Sequence, residues 1–296
     1  MRALRSVLFV PGHKADWIQK ALGSPADGII IDLEDAVPAA DKALARENAR
    51  AAISGYSGDK TVLVRVNGLE TPHFGEDVRA VAVDGIGGLL LPMLRHRDDL
   101  VAFDGVITAA EIFNGLPRRT VEVVPSFETA ESIGSVESIL TAPRVGGVMA
   151  AAAKDADVSR SVGFSWTAQG LETLYLRSRI LLAARAAGLE MILLGLWQDL
   201  RDLDGMRVFA RDNAALGYTG QVIIHPTHAE IANEEYALSE ERIDYYRRLV
   251  LAFEAGMQEG NGAVSFEGEH VDLAHANNAR ALLRRAGHAV GLPTAE

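Results

Sequence analysis

Apolar residues along this chain recur in two alternating modes. Short continuous runs, too brief for helices, fall at SVLFV (6–10), GIIID (28–32), TVLVRV (61–66), GLLLP (88–92), VEVVP (121–125), VGGVM (145–149), MILLGL (191–196) and QVIIH (221–225). Unbroken hydrophobicity marks strands covered on both faces, as in a parallel sheet with crossover helices. Between the runs lie longer segments with helical spacing. AADKALARENARAAI is alanine-rich with spaced apolar positions, and GLETLYLRSRILLAARAAG sets Leu171, Leu174, Leu181 and Leu182 at helical intervals before Gly188. Eight such units predict an α/β fold of the (β/α)8 barrel type. The alternative, a doubly wound open sheet, wants a glycine-rich turn after the first strand, where VPGHKADW offers one Gly and a Pro.

After residue 239 the pattern changes. SEERIDYYRRLVLAFEAGMQEG reads as one long helix, NGAVSFEGEHVD as an irregular or hairpin segment, and LAHANNARALLRRAGHAV as a final helix. The expected organisation is therefore a barrel over residues 1–238 and a helical extension over 239–296, which covers the barrel or docks on a neighbouring subunit.

Composition narrows the chemistry. A chain of 296 residues is long enough for a full core. Its formal charge of −11 argues against nucleic acid as the main partner. No cysteine is present, which removes disulfides, zinc-thiolate sites and a thiol nucleophile, so any metal is held by oxygen or histidine. Oxygen ligands point to magnesium or manganese. The start, MRALRSVLFVPGHK, lacks the hydrophobic segment and cleavage site of a signal peptide. No stretch reaches the ~18 uninterrupted apolar residues of a membrane span. A soluble, cytoplasmic protein is expected.

In a barrel of this type the functional rim lies at the carboxyl ends of the strands, so the residues just past each run are candidates. They are Pro11, Gly12 and His13; Glu34 and Asp35; Arg65 and Asn67; Met93; Glu128; Asp155 and Asp157; Trp197 and Asp199; and His225. Some need be no more than helix caps, as for Asp35, Thr129 and Asp199. Arg65 is different, because a guanidinium inside an apolar strand demands a carboxylate or an anionic ligand. Glu128 and Asp157, from neighbouring strands, would converge on one point, which suits a hard divalent cation held by few protein ligands. The eight histidines contain no HExxH spacing, and the five lysines (14, 20, 42, 60 and 154) lie in helices, turns or loops rather than in a strand, as a Schiff-base aldolase would want. No GxSxG elbow or P-loop occurs.

In order along nearly the whole chain, RSVLFVPG, DGIIIDLEDAV, VLVRVNG, VPSFETAESI, LYLRSRILLAARAAG, LGYTGQVIIHP and IANEEYALSEERIDYYRRLVLAFE resemble the HpcH/HpaI aldolase and citrate lyase family, in its CitE-like CoA-ester lyase branch. The resemblance implies a (β/α)8 barrel that binds Mg2+, with Mn2+ as a possible substitute. It also implies cleavage or formation of the carbon–carbon bond of a 3-hydroxyacyl-CoA such as malyl-, methylmalyl- or citramalyl-CoA, with a keto acid and a CoA thioester as the partners. Carried over, Arg65 polarises the keto-acid oxygen, Glu128 and Asp157 hold the metal, and Glu34 and Asp35 support them. Asn67, Pro11 and Gly12 join Arg65 on the substrate- and cofactor-facing rim. The sequence departs from the family pattern where Asp155 and Ala156 replace the Gly-Glu before Asp157, which makes Asp155 a competing ligand, and where Met93 stands at a position often held by lysine. The segment GAVSFEGEHVDLAHANNARALL resembles a C-terminal lid whose Asp, here Asp272, enters the adjacent subunit as a general acid/base. That implies a homo-oligomer, a trimer or hexamer. The competing functions are a thioesterase on the same ester, a metal-dependent aldolase on free 2-keto acids, and a noncatalytic partner subunit.

Overall fold

The computed structural model describes residues 1–288. Two compact units divide between Tyr236 and Ala237. The first contains strands β1 (Ser6–Pro11), β2 (Gly28–Asp32), β3 (Thr61–Arg65), β4 (Gly88–Leu91), β5 (Val123–Phe127), β6 (Gly147–Ala150), β7 (Met191–Leu194) and β8 (Gly220–Ile223). Its α-helices are α1 (Ala15–Leu22), α2 (Lys42–Gly55), α3 (Phe74–Val81), α4 (Arg97–Phe113), α5 (Ala130–Gly134), α6 (Val136–Ile139), α7 (Asp157–Val162), α8 (Leu171–Ala186), α9 (Leu203–Leu216) and α10 (Thr227–Glu235). The eight strands pair in chain order, all parallel, and β8 closes on β1, which makes this a (β/α)8 barrel.

GIIID shows why the strands read as unbroken apolar runs. Every residue of β2 is buried. Ile29 and Ile31 face the layer between strands and helices, where Ala45, Ala49 and Ile53 of α2 also pack. Ile30 turns inward, joining Val7, Leu63, Leu90, Val124, Leu193 and Val222 to fill the barrel interior. With side chains alternating across each strand, both faces of such a strand meet apolar surroundings, and a charged side chain fits best at the inward position nearest the open end. On β2 that residue is Asp32.

Most strand ends shift by a residue or two from the sequence reading, and two differences have a physical reason. The fifth strand runs from Val123 through Pro125 to Phe127 instead of ending at the proline, because Pro125 forfeits only one ladder donor and keeps its register with Leu91. Helix α8 forms as expected, but Leu171 and Leu182 are 74% and 72% exposed; the buried face carries Thr173, Arg177, Ile180, Leu181, Ala183 and Ala184.

The second unit holds α11 (Glu240–Gln258), an antiparallel hairpin of β9 (Ala263–Phe266) and β10 (Glu269–Asp272), and α12 (Leu273–Arg285). Glu267 and Gly268, both with positive φ, form the two-residue turn that the strand twist favours. Leu249, Phe253, Val271, Ala276 and Ala279 make its small core. The final helix read to residue 290 ends at Arg285, and the last two residues of that reading, 289 and 290, lie outside the described residues. Among the described residues no helix is long and apolar enough to cross a membrane.

Candidate active site at the barrel mouth

Strand register builds the first contact of the site. Asp32 and Arg65 are paired neighbours at the carboxyl ends of β2 and β3, so their side chains project side by side. Arg65 donates from Nε to Asp32 Oδ1 at 2.7 Å and from a terminal nitrogen to Asp32 Oδ2 at 2.8 Å, a two-point grip. Its other terminal nitrogen lies 3.2 Å from Glu34, with Asp35 at 3.9 Å, and its guanidinium covers the Phe9 ring at 4.9 Å. Burial alone would lower the Arg65 pKa; the Asp32 hydrogen bonds and the surrounding carboxylates more than offset it, so the net shift is upward and the charge is permanent.

Asp32 also shapes the loop that follows it. Its carboxylate accepts from the backbone N–H of Glu34 and of Ala36, both at 3.0 Å. This curls the chain so that Glu34 returns over the mouth. There burial, reinforced by Asp35, Glu128 and Asp32 against the opposing pull of Arg65, pushes the Glu34 carboxyl up to about 8.

Across the mouth, Glu128 follows β5 directly and is only 9% exposed. It accepts the backbone N–H of Met93 at 2.7 Å. Met93 adopts a φ of 51°, a left-handed conformation that costs a β-carbon-bearing residue roughly 1–3 kcal/mol and that aims its N–H at the carboxylate. Thr129 is the N-cap of α5, accepting from Ser132, so its capping reading holds and fixes the chain just past Glu128. Burial raises the Glu128 pKa and Asp157 adds to the rise, while the Met93 N–H and Arg65 oppose it.

Glu128 and Asp157 line one open pocket of about 230 Å3 together with Met93, Arg95 and Arg160; Asp155 is not among its lining residues. Asp157 opens α7 and pairs with Arg160. Among the described residues no Lys, Arg or His nitrogen lies within ion-pair distance of Glu128, which shares the pocket with a second carboxylate, Asp157, whose own partner is Arg160. That donor set fits a hard divalent cation. Among the described residues no three His, Asp or Glu side chains converge as ligands. Magnesium accepts this, since it is commonly held by one or two carboxylates with water and substrate oxygens in its other positions.

The remaining predicted site residues serve other contacts. Gly12 donates its N–H to Asp32 O at 2.8 Å and its carbonyl accepts from Asn48. Asn67 is buried, with its side chain bonded to Leu33 O, Asp77 and Lys42, so its polar atoms are spent inside the protein. His225 bonds Thr227 beside it. Asp272 belongs to the second unit, where it is the N-cap of α12, accepting from Ala274 N and from His275; the His275 hydrogen bonds hold its carboxyl below the usual range. Two groups escaped sequence reasoning. Asp32 ends the apolar run GIIID, but its role needed the β2–β3 register; Lys42 stood out only as one of the lysines outside the strands.

A parallel barrel with an arginine gripped by carboxylates and a two-carboxylate pocket beside it defines a class: a (β/α)8 protein with a charged mouth at the carboxyl ends of its strands. The comparisons place it more closely. Residues 5–226 match the HpcH/HpaI aldolase/citrate lyase family, and the chain belongs to that family. It is 34% identical over 288 residues to the citrate lyase subunit beta-like protein of Deinococcus radiodurans, covering 95% of this chain and 96% of that one. It is 33% identical to the L-malyl-CoA/beta-methylmalyl-CoA lyase of Cereibacter sphaeroides, covering 96% and 95%. The structure of CitE from Mycobacterium tuberculosis in complex with magnesium, acetoacetate and coenzyme A superposes with a TM-score of 0.75 at 30% identity, covering 96% of this chain and 98% of that chain.

Proposed function

We propose that this protein is a Mg2+-dependent carbon–carbon lyase that cleaves or forms a 3-hydroxyacyl-CoA of the malyl-, methylmalyl- or citramalyl-CoA type, yielding a 2-oxo acid and an acyl-CoA. The observation that carries the reading is the buried Glu128, without an ion-pair partner among the described residues, sharing a pocket with Asp157 beside the Arg65–Asp32 grip. Glu128 and Asp157 would hold the cation, and Mn2+ would fit the same oxygens. When bound it would act as a Lewis acid on the oxo-acid oxygens.

The protein's own groups divide the remaining work. In cleavage the hydroxyl group gives up its proton to solvent and Arg65 stabilises the oxyanion left behind, whose charge passes to the thioester as the carbon–carbon bond breaks; the fixed orientation of Arg65 on Asp32 and Phe9 means that no reorganisation is needed. Glu34 and Asp35 complete that frame. Cleavage leaves the electron pair on the α-carbon of the thioester, which must gain a proton. Asp272 of a neighbouring copy in a homo-oligomer is the proposed carrier, and its lowered pKa keeps it ionised, in the form that removes the thioester α-proton in the synthetic direction.

The test is site-specific. Glu128→Ala is expected to abolish measurable Mg2+ binding by calorimetry and lower lyase turnover by at least ~100-fold, as loss of a principal catalytic group does. If metal affinity and turnover both survive, the pocket is misassigned. Calorimetry with free CoA separates this reading from an aldolase on free oxo acids, which needs no CoA groove.

A further inference from the structure

Lys42 is buried at the first turn of α2, yet it pairs with no carboxylate within ion-pair distance among the described residues. Its ammonium donates to Leu33 O at 2.6 Å, to Glu34 O at 2.8 Å and to Asn67 Oδ1 at 2.8 Å. An ammonium has three donors, and all three are used. Taking such a charge out of water costs several kcal/mol unless something in its surroundings repays it. Its position offsets part of that cost. Lys42 lies behind the loop whose front presents Asp32, Glu34 and Asp35, and those carboxylates together with Asp77 favour its charged form against the burial that lowers its pKa.

The contacts continue without a gap from the helical layer to the mouth. Arg46 bonds Asp77 at 3.2 Å, and Asp77 accepts the Asn67 N–H at 3.0 Å. Asn67 Nδ2 donates to Leu33 O at 2.8 Å, so the Leu33 carbonyl is held by both Asn67 and Lys42. On the other side of the Leu33–Glu34 peptide the Glu34 N–H closes on Asp32, joined by the Ala36 N–H two residues on. Each face of residues 33–36 is therefore pinned, one by Asp32 and one by Lys42.

We propose that Lys42 is the positioning residue of the barrel mouth, fixing the Leu33–Glu34 main chain so that Glu34 and Asp32 hold Arg65 in a single orientation, and so setting turnover rather than substrate affinity. The kinetic part rests on the lyase reading above; the placement part does not. Lys42→Met keeps the length and removes the three donors.

The test is a kinetic double-mutant cycle with amide exchange measured on the same full-length proteins. Lys42→Met lowers kcat by about 10- to 100-fold, as loss of an outer-shell partner typically does, with KM little changed. In the Glu34→Gln background the same substitution adds much less, because both act on one element. Exchange of the Glu34 and Ala36 amides quickens by about tenfold or more, reporting local opening, while that of Val124 in β5 stays as in the wild type. Additive kinetic effects, a raised KM at unchanged kcat, or unaltered exchange at Glu34 and Ala36 would each overturn the proposal. Should the wild type turn over no hydroxyacyl-CoA, the lyase reading falls and the exchange data still decide the placement role. Should Lys42→Met fail to fold, Lys42→Gln, which retains a donor, is put through the same measurements.

Discussion

Glu34 holds its proton in the folded, metal-free protein at pH values where the unfolded chain has lost it, since burial lifts its pKa from 4.5 to about 8. The stability this contributes is fully present below pH 4.5 and is lost as pH rises through 8. Thermal unfolding in chelator should therefore decline across that window more steeply for the wild type than for Glu34→Gln; equal slopes would mean that Glu34 is not buried as described. Gly12 makes a different residue-scale claim. A β-carbon there would stand 2.8 Å from Asp32 O and 3.0 Å from Leu33 Cδ2, so Gly12→Ala forces β1 from β2 and is expected to cost about 1–3 kcal/mol in denaturant unfolding. Arg65 was legible because a charge in TVLVRV has no cheap explanation. Its partner was not, because hydrophobic pattern specifies that a strand exists without specifying which residue of the next strand lies beside it. Asn67 was read as facing the ligand, since position past a strand end says nothing of which way an amide turns.

At the scale of elements, the eight strands were readable because burial on both faces leaves unbroken apolar runs, and Pro125 misplaced one end because a missing donor weakens a strand without stopping it. The leucines of α8 mislead for a related reason. Helical spacing reports that a segment is a helix, but of the four leucines only Leu181 joins the inner face, which it shares with Ile180, two alanines and Arg177, bonded to Thr173, Asn213 and the Gly170 carbonyl. Another buried arginine joins α4 to the loop before β6. Arg144 binds Glu111 at 2.7 and 2.9 Å and also pairs with Asp104, and Glu111 is wholly buried. Burial would raise the Glu111 pKa, yet the Arg144 hydrogen bonds more than offset it and the net shift is downward. The pair thus contributes stability above the ordinary Glu range, lost as pH falls through the depressed value. Glu111→Ala leaves the buried guanidinium only Asp104, Thr108 and the Val121 carbonyl, and should cost about 3 kcal/mol at pH 7 in guanidinium melts, with a smaller penalty in acid. An effect below 1 kcal/mol at both pH values would contradict this account of the joint.

For the whole molecule, sequence pattern gave the barrel and the change of character after it, and the resemblance supplied the assignment of Asp272 to a neighbouring active site. Within its own unit Asp272 is a half-buried helix cap, which any Asp before a helix could be. Its proposed role in trans has a direct consequence. Glu128→Ala and Asp272→Asn, each inactive alone, should regain activity when co-assembled, because one intact mouth can meet one intact Asp272; activity no greater than the sum of the two parents would confine Asp272 to capping.

The central claim is the bond that breaks. A panel of malyl-, methylmalyl- and citramalyl-CoA incubated with Mg2+, followed for oxo acid, acyl-CoA and free thiol together, tests it most directly. A lyase yields oxo acid and acyl-CoA in equal amounts with no free thiol from at least one of the three esters. Free thiol without oxo acid would make the protein a thioesterase, and no product from any of them would contradict the lyase.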